Sequence, residues 1–309
     1  MKHLLKLMDL TTDEIVSILN LADQLKYERK NHIPHPRLAG KTLGMIFQKN
    51  STRTRVSFEV GMYELGGSAL FLSSRDLQIG RGEPVEDTAR VLSRYLDGIM
   101  IRTYKQSEVE DLARCGSIPI INGLTDYCHP CQVLADMMTV REYKGSFKGL
   151  KMAYIGDGNN MANSLIVGGV KLGMQVAVAC PADYSPAGDV TDWAGEQGLY
   201  TQYSSSDARG NVLLAARDAD VLFTDVWASM GQEGEAEKRR AAFKGYCIDA
   251  QVMSAAKDDC MVQHCLPAHR GEEIAADVFE AHAGEIFEEA ENRLHAQKAL
   301  MVKLMGDDK

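Results

Sequence analysis

Leu43-Gly44-Met45-Ile46-Phe47, followed by Ser51-Thr52-Arg53-Thr54-Arg55 and a helical pattern from about Arg53 to Leu65, is the stretch that decides the fold. A short apolar run ending in polar residues predicts a buried strand, and the helix after it is closed by Gly66-Gly67. The same unit recurs downstream. Ala69-Leu70-Phe71-Leu72 reads as a strand, Pro84 suits the first position of a helix running toward Leu96, and Ile99-Met100-Ile101 is a strand ending at Arg102. Ile118-Pro119-Ile120-Ile121 is a further strand that ends at Asn122. Upstream, Thr11-Thr12-Asp13-Glu14 has the form of a capping box, and Ile15, Ile18, Leu19, Ala22 and Leu25 follow at helical spacing until Lys30-Asn31-His32.

A second series begins near Lys151. Met152-Ala153-Tyr154-Ile155 leads into Gly156-Asp157-Gly158, then a helix, then the strand Gln175-Val176-Ala177-Val178-Ala179. Val221-Leu222-Phe223 ends at Thr224-Asp225, and Met261-Val262-Gln263 ends at His264-Cys265. The last helix spans about Asn292 to Met305. Strands alternating with helices imply parallel sheets with helices on both faces. Two such series predict an α/β protein of two doubly wound domains, each a mainly parallel sheet flanked by helices. The helix around Val133 to Tyr143 is the expected bridge, which puts residues 1–133 in the first domain and 134–287 in the second.

Composition fits that picture. At 309 residues the chain is long for one core, and its 45% hydrophobic and 25% charged residues are ordinary for a folded soluble protein. A formal charge of −9 argues against nucleic acid as a general partner. No apolar run approaches the roughly 20 residues that span a bilayer, and Lys6 and Asp9 interrupt the N-terminal segment as a secretory signal. The seven cysteines are therefore expected as thiols in a reducing, cytoplasmic setting.

In open α/β sheets, ligands bind beyond the carboxyl ends of the strands. Here those ends carry Ser51 to Arg55, Arg102, the loop after Asn122, Gly158-Asn159-Asn160, Asp225 and His264-Cys265, polar groups that one cleft between the domains would gather. Ser51-Thr52-Arg53-Thr54-Arg55 opens a helix, where unpaired N–H groups, hydroxyls and a guanidinium form a phosphate site without metal. The bland alternative is an ordinary N-cap with exposed arginines. No Gly-rich triphosphate loop is present. Gly156-Asp157-Gly158-Asn159-Asn160-Met161 resembles a dinucleotide fingerprint but has Met161 where the third glycine belongs, and Asp183 is a strained match for the ribose acid. Cys128-His129-Pro130-Cys131 has redox spacing without a thioredoxin-like setting. His264 and Cys265 with His129 and Cys131 lack zinc-ribbon spacing, and a lone cysteine after a strand is more often packed than catalytic. Asp225 is either a helix cap or a carboxylate for a cationic substrate group.

Ser51-Thr52-Arg53-Thr54-Arg55, His129-Pro130-Cys131-Gln132, Asp225-Val226-Trp227-Ala228-Ser229-Met230-Gly231 and His264-Cys265-Leu266-Pro267 together resemble the aspartate/ornithine carbamoyltransferase family, in order and separation, over nearly the whole chain. The last two motifs are similar to its ornithine branch; putrescine and acylated-ornithine relatives are the nearer rivals, and an NAD-dependent oxidoreductase is the more distant one. Ala268 departs from the arginine that often follows the last motif, with Arg270 nearby. The resemblance implies transfer of the carbamoyl group of carbamoyl phosphate to the side-chain amine of L-ornithine, with neither cofactor nor metal. It implies that Ser51, Thr52, Arg53 and Thr54 bind phosphate and that Arg102, His129 and Gln132 hold the carbamoyl group. Gln78 would close the site from a neighbouring subunit, and Arg293 would also reach carbamoyl phosphate. Asn160, Asp225, Ser229 and Met230 would bind ornithine, with Cys265 and Leu266 where the substrates meet. Arg53, Arg102, His129 and Cys265 are the expected catalytic set. The family further implies a homotrimer or multiples of it, with residues 288–309 returning as a helix to the first domain.

Overall fold

In the computed structural model, which describes residues 1–75, 77, 82–228 and 233–306, the chain divides into two compact units. Unit 1 comprises Met1–Met138 and Glu291–Lys309, and unit 2 comprises Thr139–Ala290. Sequence reading put the changes at 133/134 and 287/288. The observed divisions fall a few residues later because each lies inside a continuous helix, where no turn marks it.

Unit 1 contains β1 (Thr42–Phe47), β2 (Ser68–Ser73), β3 (Gly98–Arg102) and β4 (Ile120–Leu124), all parallel, in the order β2-β1-β3-β4. Its helices are α1 (Thr12–Lys30), α2 (Thr52–Glu64), α3 (Val85–Leu92), α4 (Gln106–Cys115), the first part of α5 (Pro130–Lys144), and the last part of the C-terminal helix. The capping box forms as read: Thr11 Oγ1 accepts from Glu14 N at 3.1 Å, and Glu14 Oε2 accepts from Thr11 N at 2.9 Å. Pro84 is the N-cap of α3 rather than its first residue, and α3 stops at Leu92. Ile46, Leu96, Ile99, Ile101, Val109, Leu112 and Ile120 form one buried cluster between sheet and helices. The N-terminal segment bridges the β4 edge, with Leu4 paired to Ile121.

The C-terminal helix belongs to unit 1 over its last turns for a chemical reason. Lys298, fully buried, donates to Glu64 Oε2 at 2.6 Å and lies 2.7 Å from His35 Nε2, while Lys26 donates to Asn292 Oδ1 at 2.7 Å. Burying a lysine is costly unless it is paired, so these contacts fix where that helix docks within the unit.

Unit 2 contains β5 (Lys151–Ile155), β6 (Gln175–Ala179), β7 (Tyr200–Tyr203), β8 (Val221–Thr224) and β9 (Met261–His264), again all parallel, in the order β7-β6-β5-β8-β9. The helices are the rest of α5, then α6 (Asn160–Lys171), α7 (Gly188–Glu196), α8 (Ala208–Ala216), α9 (Ala236–Ala242), α10 (Ala250–Ala255), α11 (Ala276–Ala281) and the first part of α12 (Ala283–Met305). That last helix begins nine residues before Asn292, since Ala283 precedes it in the same helix. Ala153, Ile155, Leu222, Val262, Phe243 and Tyr246 belong to the buried core, where Trp227 stacks on Phe243. Among the described residues, no helix is long and apolar enough to cross a membrane.

Both sheets have a topological switch point. In unit 1 the chain leaves β1 toward β2 on one side and returns to β3 on the other; in unit 2 the same happens between β5 and β8. Loops at the carboxyl ends of such strand pairs diverge and leave a crevice, which is where open α/β sheets bind ligands.

Candidate active site

At the β1/β3 switch point the chain builds a cationic site. Ser51 is the N-cap of α2, its hydroxyl accepting from Thr54 N at 3.1 Å. Thr52 and Arg53 stay exposed on the first turn, where the positive end of the helix dipole favours an anion. Arg55, the second arginine of the motif, is used otherwise: it pairs with Glu59 at 3.0 Å and lies over the Phe71 ring.

Thr54 is buried and turned inward, where Arg293 from α12 donates to its Oγ1 at 3.2 Å and to Gln132 Oε1 at 2.5 Å. Gln132 in turn donates to Asp136 Oδ1 at 2.8 Å, one turn further along α5. The Asp136 carboxylate only accepts when ionised, so it fixes which end of the Gln132 amide faces Arg293. Arg102, at the end of β3, and His129, just before α5, are also buried. His129 is held well below the ordinary histidine pKa, first by burial and then by the charges of Arg293, Arg102 and Arg53. It is therefore a neutral imidazole among guanidinium groups, able to hydrogen-bond without adding charge.

Sequence reading missed the supports of this site. Lys49, two residues before Ser51, is buried, ion-pairs with Asp126 and lies 4.2 Å from the Tyr104 ring centroid. Glu108 accepts from Gln48 at 2.9 Å and from the Thr103 hydroxyl, tying the loops after β1 and β3 to α4. The local cues were a lysine two residues before the motif and, for Asp136, a four-residue offset from Gln132.

At the β5/β8 switch point the site is acidic. Asp225, buried just beyond β8, accepts on Oδ2 from Asn159 Nδ2 at 3.0 Å. Its Oδ1 accepts from Val226 N at 2.8 Å and from the Cys265 thiol at 3.0 Å. Asn160 is the first residue of α6 and is half-buried beside Asn159. Asp157 pairs with Arg239 at 2.7 Å, both nearly buried, and Arg239 also donates to Trp227 O at 2.8 Å. Burial pushes the Asp157 carboxyl up to about 6, against the lowering effect of Arg239 and with a smaller push from Asp225. Arg239 carried no motif in the sequence and was not anticipated.

His264 has a structural task. Its Nδ1 accepts from Leu266 N at 2.9 Å, which leaves Nε2 as the donor to Glu273 Oε1 at 3.0 Å. Both ring nitrogens are thus engaged, which removes His264 from the zinc set despite its nearness to Asp225 and Cys265. Leu266 takes φ +58°, a conformation that costs a non-glycine residue about 1–3 kcal/mol and that the His264 bond helps to hold.

Two alternatives lose ground on geometry. Cys128 and Cys131 are buried free thiols, each pushed up to about 12 chiefly by burial, which makes them poor nucleophiles. At Gly158 a Cβ would sit 2.2 Å from Pro186 N and 2.5 Å from Tyr184 O. The second glycine of the dinucleotide-like turn thus accommodates the 184–186 backbone, where a dinucleotide fold would admit a pyrophosphate. Gln78, Ser229 and Met230 lie outside the described residues.

Comparison with known proteins agrees in both units. The family model described as aspartate/ornithine carbamoyltransferase, carbamoyl-P binding domain, matches residues 2–142, and the companion Asp/Orn binding domain matches residues 148–304. The chain is 53% identical over 304 residues to an ornithine carbamoyltransferase of Geobacter sulfurreducens, covering 98% of this chain and 99% of that one. It is 54% identical over 305 residues to that of Pyrococcus abyssi, covering 99% and 96%. Among solved structures, the ornithine carbamoyltransferase of Pyrococcus furiosus superposes with a TM-score of 0.93 at 51% identity, covering 100% of this chain and 98% of that one.

Proposed function

This chain belongs to the aspartate/ornithine carbamoyltransferase family, and we infer that it transfers the carbamoyl group of carbamoyl phosphate to the side-chain amine of L-ornithine, giving L-citrulline and phosphate. The observation that carries the donor half is the convergence of Thr54, Arg102, His129 and Arg293 beside the α2 N-terminus. Such a set suits a small dianion with a carbonyl next to it, and it is too compact in charge to suit an apolar ligand.

The roles follow from the chemistry. Ser51, Thr52, Arg53 and Thr54 hold the phosphate on helix N–H groups, hydroxyls and a guanidinium. Arg102, His129 and Thr54 face the carbonyl oxygen, where negative charge grows as the amine attacks, and Gln132 and Arg293 fix that group. The C–N bond forms, the C–O bond to phosphate breaks, and the proton shed by the amine leaves on hydrogen phosphate. No covalent enzyme intermediate is needed. Catalysis then consists of orienting two substrates and stabilising the oxyanion.

For the acceptor half, Asp225 meets the α-ammonium of ornithine, with Asn160, Ser229 and Met230 around the amino acid and Cys265 and Leu266 at the reacting end. The buried, acceptor-rich Asp225 supports a cationic amino acid over aspartate, whose second carboxylate it would repel. Arginine biosynthesis in the cytoplasm is the setting we propose; the seven free thiols support a reducing compartment. We also propose a homotrimer, with Gln78 reaching a neighbouring subunit's site. Exposed Tyr63, Leu70, Phe71, Val91 and Tyr95 on unit 1 support a subunit contact there.

The test is citrulline formation from carbamoyl phosphate and ornithine, with aspartate, putrescine and N-acetylornithine as competing acceptors. Ornithine should exceed each by at least tenfold in kcat/KM. Faster reaction with putrescine or the acylated amine would transfer the assignment to that acceptor.

A further inference from the structure

Asn159 occupies a position that no substrate role explains. Its side-chain oxygen caps α6, accepting from Met161 N at 2.8 Å and Ala162 N at 3.3 Å. That fixes the amide orientation, because the oxygen must face the helix N–H groups. The amide nitrogen is thereby aimed across the β5/β8 switch point, and it donates to Asp225 Oδ2 at 3.0 Å. The other Asp225 oxygen takes Val226 N and the Cys265 thiol. Among the described residues, these contacts hold the carboxylate plane, and Asn159 ties it to a helix end.

We propose that Asn159 is a positioning residue for the acceptor: through its split amide, the N-terminus of α6 holds the Asp225 carboxylate in the plane that receives the substrate's α-ammonium. The inference rests on the reading of Asp225 as the ammonium partner. Free of Asn159, the carboxylate rotates about its χ2 torsion, which is broad for aspartate, and presents an oxygen lone pair to the ammonium only part of the time. Loss of an acceptor's orientation affects binding of the group it orients and leaves the carbamoyl phosphate site, in the other unit, unchanged.

Asn159→Ser separates the two tasks. Serine caps helices about as well as asparagine but is too short to reach Asp225. The expected result is a rise of about tenfold in KM for ornithine, with KM for carbamoyl phosphate and the melting temperature close to wild type. Asn159→Asp keeps both cap and size but sets a carboxylate against a carboxylate, and should raise the ornithine KM further. The deciding measurement is the cycle with Asp225→Ala: on that background Asn159→Ser should add little, because the group it orients is gone. If Asn159→Ser leaves the ornithine KM unchanged, or its effect persists undiminished beside Asp225→Ala, the positioning role is overturned. If Asp225→Ala itself leaves ornithine kinetics untouched, the acceptor reading fails instead, and the two failures are told apart within one set of four proteins.

Discussion

The two switch points are the same piece of topology carrying opposite charge. At β1/β3, three arginines surround a histidine kept neutral, and a helix N-terminus faces outward with its hydroxyls. At β5/β8, an aspartate is clamped by an amide, a backbone N–H and a thiol, and the neighbouring helix N-terminus is already capped by Asn159. The difference lies in what the first turn of the following helix is free to do. α2 is capped by Ser51 and carries Thr52 and Arg53 exposed on its first turn, whereas α6 donates Met161 N and Ala162 N to a side chain that in turn holds the carboxylate. The proposed anion site and the proposed ammonium site thus share one topology and differ in the side chains at the strand ends and helix starts.

Arg53→Ala should produce the largest effect. It removes an exposed guanidinium from the donor site, so kcat/KM for carbamoyl phosphate should fall at least about a hundredfold while thermal stability barely changes; steady-state kinetics and a melting curve check both. Asp225→Ala should act on the other substrate, raising the ornithine KM roughly 10- to 100-fold with the carbamoyl phosphate KM held. If either variant weakens both substrates equally, the division of labour between the units is wrong.

Acid offers a third way to separate the units. His129 and His295 in unit 1 are kept neutral by burial and neighbouring cations, His295 down to about 3. Their folded-state pKa values lie below the ordinary 6.5, so the unfolded chain binds more protons, and the stability they contribute is lost as pH falls below about 6.5. Asp157 in unit 2 is raised to about 6, which has the opposite sign: its contribution is lost as pH rises through about 6 and regained on acidification. Hydrogen exchange should therefore show protection in unit 1 falling more than in unit 2 between pH 7 and 5. Catalysis should also fall on acidification and rise with pH, from chemistry alone. The attacking amine must be neutral and starts from a pKa of about 10.4, so kcat/KM for ornithine should climb as pH rises above 7, and a flat profile to pH 9 would count against amine deprotonation as the controlling step.

The smallest expected effect is at Thr11. Thr11→Ala breaks the capping box of α1 and should cost about 1 kcal/mol of stability, a shift of a few degrees in melting temperature, with kinetics unchanged.

Much of this was legible in the sequence where the signal is local. Thr11 to Glu14 and Ser51 to Arg55 announce helix starts within four or five residues, and the buried strands β1, β3, β5 and β8 read as short apolar runs. What escaped notice depends on distance or on amphipathic, half-exposed surface. β7, Tyr200-Thr201-Gln202-Tyr203, is a polar edge strand without an apolar run, and α4 buries only Val109, Leu112 and Ala113. Arg293 meets Thr54 across 239 positions of sequence, and Asn159 meets Asp225 across 66, so neither contact has a local signature. Arg293 was anticipated only through family resemblance. Asn159 was given no role in the sequence, where Asn160 was the expected ornithine ligand, and its cap of α6 fixes which way its amide faces.

The most direct test of the central claim compares ornithine with 5-aminovalerate, the same chain without the α-amino group, as acceptors for the wild-type protein and Asp225→Ala. The account predicts a wild-type preference for ornithine of at least about tenfold in kcat/KM, erased in the variant. A preference that survives the loss of Asp225 would contradict it.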